Sequence, residues 1–280
     1  MFPWKIYYLK TILWGLFCAL GARAVAQITQ SPALQPLHAA AYNQQFADIF
    51  SSRINPALLG GIRDFEAGAW AEKKYLLPGL QQYQLITGVP AAGSGWAFSM
   101  DYSGISHYRN WETSLSYGKK LGKWSIGAAF NYAAQSASGY GNQSQVSGSI
   151  GALWELSNVI TTGMQLYRLG GGLFSNSPAL RPAYGYAAGL GWLVAGGILL
   201  EATLTGNESQ RAAIQAGLHY KAGERLMASC FLNLADSRPS IRVKWLTGLL
   251  QLGVTGSYHA VLGFSPGVLL IVSGVKKGGL

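Results

Sequence analysis

The chain has 280 residues and a formal charge of +10, yet only 11% of it is Asp, Glu, Lys or Arg. That share is less than half of the roughly 25% usual in soluble domains, while 37 Gly, 9 Trp, 15 Tyr and 10 Phe favour twisted sheets whose rings meet a lipid–water boundary. A basic balance can mean nucleic acid, but the positive residues are scattered. We therefore expect anionic lipid head groups as partners and no nucleic acid.

Residues 1–26 have the layout of a secretory signal peptide. Lys5 and Lys10 supply a positive start, Thr11 to Leu20 a short apolar core, and Ala24-Val25-Ala26 the small residues read by a signal peptidase. Cleavage is expected after Ala26, with export to the cell outer membrane. The apolar core falls short of the about 20 residues a permanent helix needs, and Phe17 is too bulky for a lipoprotein site at Cys18. Cys230 is then the one cysteine left, so no intramolecular disulfide can staple the fold.

Residues 27–61 form an N-terminal segment of a different kind. Tyr42, Phe46, Ile49 and Phe50 lie at helical spacing in YNQQFADIF, which predicts a short amphipathic helix. Asn55-Pro56-Ala57-Leu58-Leu59-Gly60-Gly61 follows, with Asn as N-cap, Pro as first helical residue and Gly as terminator of one short turn. A compact lead-in to the first strand and a segment that closes a lumen both fit this pattern. Large apolar residues gain about 1.5–3 kcal/mol each on burial, so the segment should dock. We expect it to do so as a plug, because an aqueous lumen fourteen strands wide would otherwise leak; docking against a partner is the other outcome.

From residue 62 to 274 the dominant signal is alternation with a period of two, the mark of a strand with lipid on one side and lumen on the other. In Lys123 to Tyr132, Trp124, Ile126, Ala128, Phe130 and Tyr132 oppose Ser125, Gly127, Ala129 and Asn131. Ala128→Arg should therefore impair assembly far more than Gly127→Arg, whose side chain can stay hydrated in the lumen if there is room. Another strand reads Leu226, Ala228, Cys230, Leu232, Leu234 against Ser229 and Asn233, with Met227 and Phe231 blurring it. Strands are expected at 62–72, 80–89, 95–103, 109–118, 122–132, 144–154, 158–168, 183–193, 196–204, 211–221, 224–234, 240–246, 249–257 and 266–273, followed by a tail at 275–280. Twelve strands are the alternative to fourteen. The longest apolar run after the signal, Gly189 to Leu200, is too short for a membrane helix, and among non-helical structures only a closed barrel satisfies its backbone in lipid.

The fold class is thus all-β, a transmembrane antiparallel β-barrel with a short helical segment before it. Connectors at 133–143, 169–182, 205–210 and 235–239 should form the outer loops, and those at 119–121, 155–157, 194–195 and 222–223 the periplasmic turns. A secreted β-sandwich also alternates. It would need two matching apolar inner faces, whereas the second face here is Ser, Gly, Asn, Gln and charged residues.

Chemistry-bearing residues are sparse. His38, His107, His219 and His259 lack metal-ligand spacing, and no cofactor motif occurs, so no metal or cofactor is expected. A Ser-His-acid site assembled from neighbouring strands stays open, although there is no G-x-S-x-G elbow, and no enzyme is expected. Glu112, Lys221, Arg242 and Lys244 fall on the lumen face, either lining an aqueous path or, the reading we favour, paired within a filled lumen. Lys73, Lys74, Arg109 and Arg181 in outer loops are candidates for lipopolysaccharide phosphates.

The run FADIFSSRINPALLG, with Phe46, Asn55, Pro56, Ala57 and Gly60, resembles the mature N-terminus of the PorP/SprF outer-membrane proteins of Bacteroidota. GKKLGKWSIG at 118–127 is similar to a hairpin of that family, and YHAVLGFSPGVLLIV at 258–272 to the last hairpin of related barrels. Barrels with an N-P-A start also include the PorV/PorQ group and the FadL superfamily. What the resemblance implies is an interaction scaffold associated with type IX secretion, gliding or surface attachment, with secreted surface proteins or secretion components as partners. The alternative is a FadL-like or porin-like transport barrel for a hydrophobic or small polar solute. The ending VKKGGL departs from the terminal aromatic of many such barrels.

Overall fold

A computed structural model describes residues 39–105, 107–139, 141–170, 184–208 and 210–274. The signal peptide, His38 and Arg181 lie outside them. Fourteen strands run β1 Glu66–Lys73, β2 Gln81–Ala91, β3 Ser94–Ile105, β4 Tyr108–Leu121, β5 Trp124–Ala137, β6 Gly141–Glu155 and β7 Ile160–Leu169. They continue as β8 Gly185–Ala195, β9 Ile198–Asn207, β10 Gln210–Ala222, β11 Leu226–Asn233, β12 Arg238–Thr247, β13 Leu250–His259 and β14 Gly263–Ser273. Each pairs with its sequence neighbours, and β1 closes onto β14 antiparallel, from Glu66 opposite Ser273 to Glu72 opposite Gly267. Fourteen strands, not twelve, make the barrel.

The even number puts the start of β1 and the end of β14 at one rim, which we call the periplasmic end, as in other barrels of this architecture. Two expected outer loops are corrected: residues 133–143 and 205–210 are mostly strand, because β5 and β6 stay paired up to Ala137 opposite Gly141 and β9 and β10 up to Asn207 opposite Gln210. The expected turns 119–121 and 194–195 likewise belong to β4 and β8. Polar strand ends beyond the apolar band can keep a ladder as readily as a loop.

Alternation becomes inside and outside. Trp124, Ile126, Phe130 and Tyr132 of β5 are exposed on the outer wall, while Ser125 and Asn131 are buried in the lumen. Rings gather at both edges of the outer apolar band. Near the periplasmic edge Trp124 stacks on Trp154 at 4.7 Å and Trp96 meets Tyr117 at 4.7 Å. Near the other edge Tyr102 meets Trp111 at 4.7 Å. Two such girdles are what an amphipathic ring seeks at the two interfaces of a bilayer.

Candidate functional site: the lumen and its plug

Residues 39–62 fill the periplasmic half of the lumen. The expected helix over Tyr42 to Phe50 is absent. Those residues form turns, and the helical turn is Ser51–Ile54. A helix would present its apolar residues on one side, whereas a plug inside a tube must meet wall on every side. The apolar residues accordingly radiate: Ile49, Phe50 and Leu59 pack with Trp70, Ile86, Leu269 and Ile271; Tyr42, Ala57 and Leu58 with Leu153; Phe46 with Leu199 and Met227. The next element forms as its sequence predicts, a 3₁₀ turn at Pro56–Gly61 whose cap, Asn55 Oδ1, accepts from the Ala57 N–H at 3.0 Å.

Inward glycines make the room. A Cβ at Gly68 would sit 2.6 Å from Phe50 Cε2, one at Gly191 2.5 Å from the Tyr42 carbonyl oxygen, and one at Gly127 2.6 Å from the Pro56 carbonyl oxygen. On the plug itself, a Cβ at Gly60 would lie 2.7 Å from the Lys119 backbone. The expected tolerance of Gly127→Arg is therefore overturned. Gly127 does face inward, but the plug occupies the space where a hydrated Arg would go.

Three polar anchors bind the plug to different sectors of the wall. Asp48 pairs with Arg242 and, at 2.7 Å, with Lys244. Burial opposes ionisation of Asp48, but Arg242, Lys244 and the Phe50 N–H outweigh it and hold the carboxyl at about 2, below its ordinary 3.8. Arg53 Nη2 donates to Asp101 Oδ2 and Glu112 Oε1, each at 2.8 Å. Burial works against the charge of Arg53, yet the two carboxylates raise its pKa further. Glu201 Oε1 accepts from the backbone N–H groups of Ala41 and Tyr42 at 3.0 and 2.9 Å. A fourth contact is neutral, with Asn55 Nδ2 donating to the carbonyls of Ala152 and Met164 at 3.3 and 3.4 Å.

Of the lumen charges expected from sequence, Glu112, Arg242 and Lys244 face the plug in these pairs. Lys221 shares their inward parity but is corrected as a lumen charge, because it lies exposed at the periplasmic end of β10, beside the turn to β11. Phe46, Asn55, Pro56, Ala57 and Gly60 all belong to the plug or its contacts with the wall. The outward Lys73 and Arg109 are exposed at the far rim, and Lys74 pairs with Glu72 at 2.7 Å.

The sequence reading missed Asp48, Arg53, Asp101 and Glu201. The signal that would have found the plug's footprint was present: Ile86, Leu153, Leu199, Met227, Phe231, Leu269 and Ile271 are apolar residues on a face that is otherwise polar. Met227 and Phe231, which blur the alternation of β11, do so because they point inward, Met227 onto Phe46 and Phe231 edge-on to His219 at 5.0 Å.

His219, Ser229 and Glu201 come together from adjacent strands, with Nδ1 2.9 Å from Ser229 Oγ and Nε2 3.1 Å from Glu201 Oε2. The set resembles a Ser-His-acid site in composition. His219 is fully buried under Phe46, and the second oxygen of Glu201 is taken by plug N–H groups. In this state no substrate reaches Ser229, and the network serves as an anchor. Among the described residues, no three His, Cys, Asp or Glu side chains gather as metal ligands.

No known family pattern matches the chain, and no curated protein is similar to it in sequence. Solved structures share the fold. The toluene transporter TodX of Pseudomonas putida aligns at a TM-score of 0.60 and 10% identity, over 84% of this chain and 94% of that one. The toluene transporter TbuX of Ralstonia pickettii gives 0.60 and 8%, over 91% and 98%, and a FadL homologue of Pseudomonas aeruginosa 0.54 and 10%, over 81% and 93%. At such identities the likeness is one of architecture: the chain shares the barrel fold of these proteins.

Proposed function

We propose that the protein is an outer-membrane transport barrel whose passage is closed by its own N-terminal segment. The observation that carries this reading is the plug. A barrel that only held partners at its rim could be filled by large side chains, whereas here a separate segment closes the tube through a few discrete polar anchors and glycine-lined contacts. Such a closure can be displaced without breaking the wall. The fold neighbours described as transporters support the same reading, and nothing in the comparisons supports type IX secretion or a PorP/SprF assignment. In this reading Lys73 and Arg109, facing outward at the far rim, meet lipopolysaccharide phosphates.

Solute uptake into proteoliposomes, with planar-bilayer conductance beside it, tests the proposal. The intact chain should pass solute while showing little steady ion current. Proteoliposomes that take up neither polar nor apolar solutes, from a protein that co-purifies with a secreted surface protein, would return the scaffold reading.

A further inference from the structure

The half of the lumen beyond the plug is built from different residues. The registers align one inward row across five strands: Gln82 opposite Ser103, Ser103 opposite Asn110, Asn110 opposite Gln135, and Gln135 opposite Gln143. All five share the inward parity of the buried Gln84, Asp101, Ser114, Asn131 and Ser147 on their strands. A polar lumen alone is what any water-filled barrel shows. This row is narrower in chemistry, since it holds carboxamides and a hydroxyl and no charge over five neighbouring strands; the next position, on β1, is Glu72, opposite Gln82 and paired with Lys74 at 2.7 Å.

We propose, building on the transport reading, that this row is a binding belt for a neutral, hydroxyl-rich solute of the sugar or polyol class. Carboxamides donate and accept at once, which matches hydroxyl groups that do the same. Asn110 is 5% exposed, and its Oδ1, with Ser103 Oγ beside it, is buried without a hydrogen-bond partner among the described residues. Buried acceptors left unmatched weigh against an apolar solute, which would strip water from the belt and give nothing back. Rings of charge select ions, whereas the charges flanking this row are paired, Glu72 with Lys74 at 2.7 Å and, on the facing wall, Arg238 with Asp236 at 3.0 Å. At the mouth, Tyr75 takes a left-handed backbone (φ 54°) and donates its N–H to Ser265 Oγ at 2.9 Å, with its ring edge-on to His259 at 6.0 Å. That strained placement sets an amphipathic ring where a sugar's C–H face would pass.

The test uses the full chain, with sucrose and toluene as probes in equilibrium binding and in proteoliposome uptake. Sucrose should bind saturably, and the double variant Asn110→Leu/Gln135→Leu should weaken it at least tenfold while keeping the strand content and heat-modifiable gel mobility of the parent. Trp111→Leu, next in sequence but facing lipid, should leave sucrose binding unchanged. Sucrose bound equally by the double variant overturns the belt. Toluene uptake without sucrose binding also overturns it and leaves the transport reading standing, whereas uptake of neither solute brings down both.

Discussion

In the periplasmic half of the lumen the wall meets protein, and in the outer half it lines a passage. The first carries inward glycines, inward Ile, Leu and Met, and charges matched to opposite charges on the plug. The second carries chiefly Gln, Asn, Ser and Thr, and its inward charges Glu72 and Arg238 pair with their own neighbours Lys74 and Asp236 rather than with the plug. The two halves share the same strands, pleat and registers, so backbone geometry does not distinguish them. What a lumen-facing residue touches does. Inward apolar residues in a barrel are therefore a map of what fills it.

That contrast is broken most completely by deleting residues 39–61. The wall would keep its outer face, but Arg242, Lys244, Asp101 and Glu112 would lose the plug's charges and face water in an open tube, and steady single-channel current should appear where the intact protein shows little. Absence of current from a folded deletion variant would mean that the outer half is itself closed.

Asp48→Asn comes next. Removing one member of a buried charge cluster costs about 3–5 kcal/mol, and Arg242 and Lys244 would both be left facing a neutral amide. Loss of the plug's protease protection, with barrel gel mobility retained, is the expected outcome. The same anchor predicts a pH response of definite sign. The folded pKa of Asp48, about 2, lies below its ordinary 3.8, so its contribution is complete above about pH 4. It disappears as pH falls through 2. The wild type should lose plug protection in that window, and Asp48→Asn should not show the step.

A third experiment separates the two faces of β5. Ala128→Arg should cost about 2–4 kcal/mol through lipid exposure, and Gly127→Arg about 1–3 kcal/mol or more through overpacking against Pro56. Both fail, for different reasons. Deleting the plug should rescue assembly of Gly127→Arg and leave Ala128→Arg impaired, as read by gel mobility; rescue of both or of neither would refute the assigned faces. The smallest effect is expected from Asn55→Ala, which removes the cap of the 3₁₀ turn and two wall contacts for about 0.5–2 kcal/mol. It should raise proteolysis of the plug without opening the barrel.

The sequence by itself determined the wall. Period-two alternation is imposed by lipid on one side and a lumen on the other, so it is written locally in every strand, and all fourteen were placed within a few residues. The 3₁₀ turn at Pro56 was legible for the same reason, because Asn, Pro and Gly act through their own backbone preferences. Tertiary structure alone decided how the segment before it folds. Phe46, Ile49 and Phe50 sit at helical spacing, but the surface they bury against surrounds them, and enclosure on all sides outweighs a short amphipathic pattern whose isolated helix would be marginal. It also decided which charges meet: Asp48 finds Arg242, and Arg53 finds Asp101, across separations of 194 and 48 residues that no local pattern records. Local physics sets the strands, and closure of the barrel sets what they enclose.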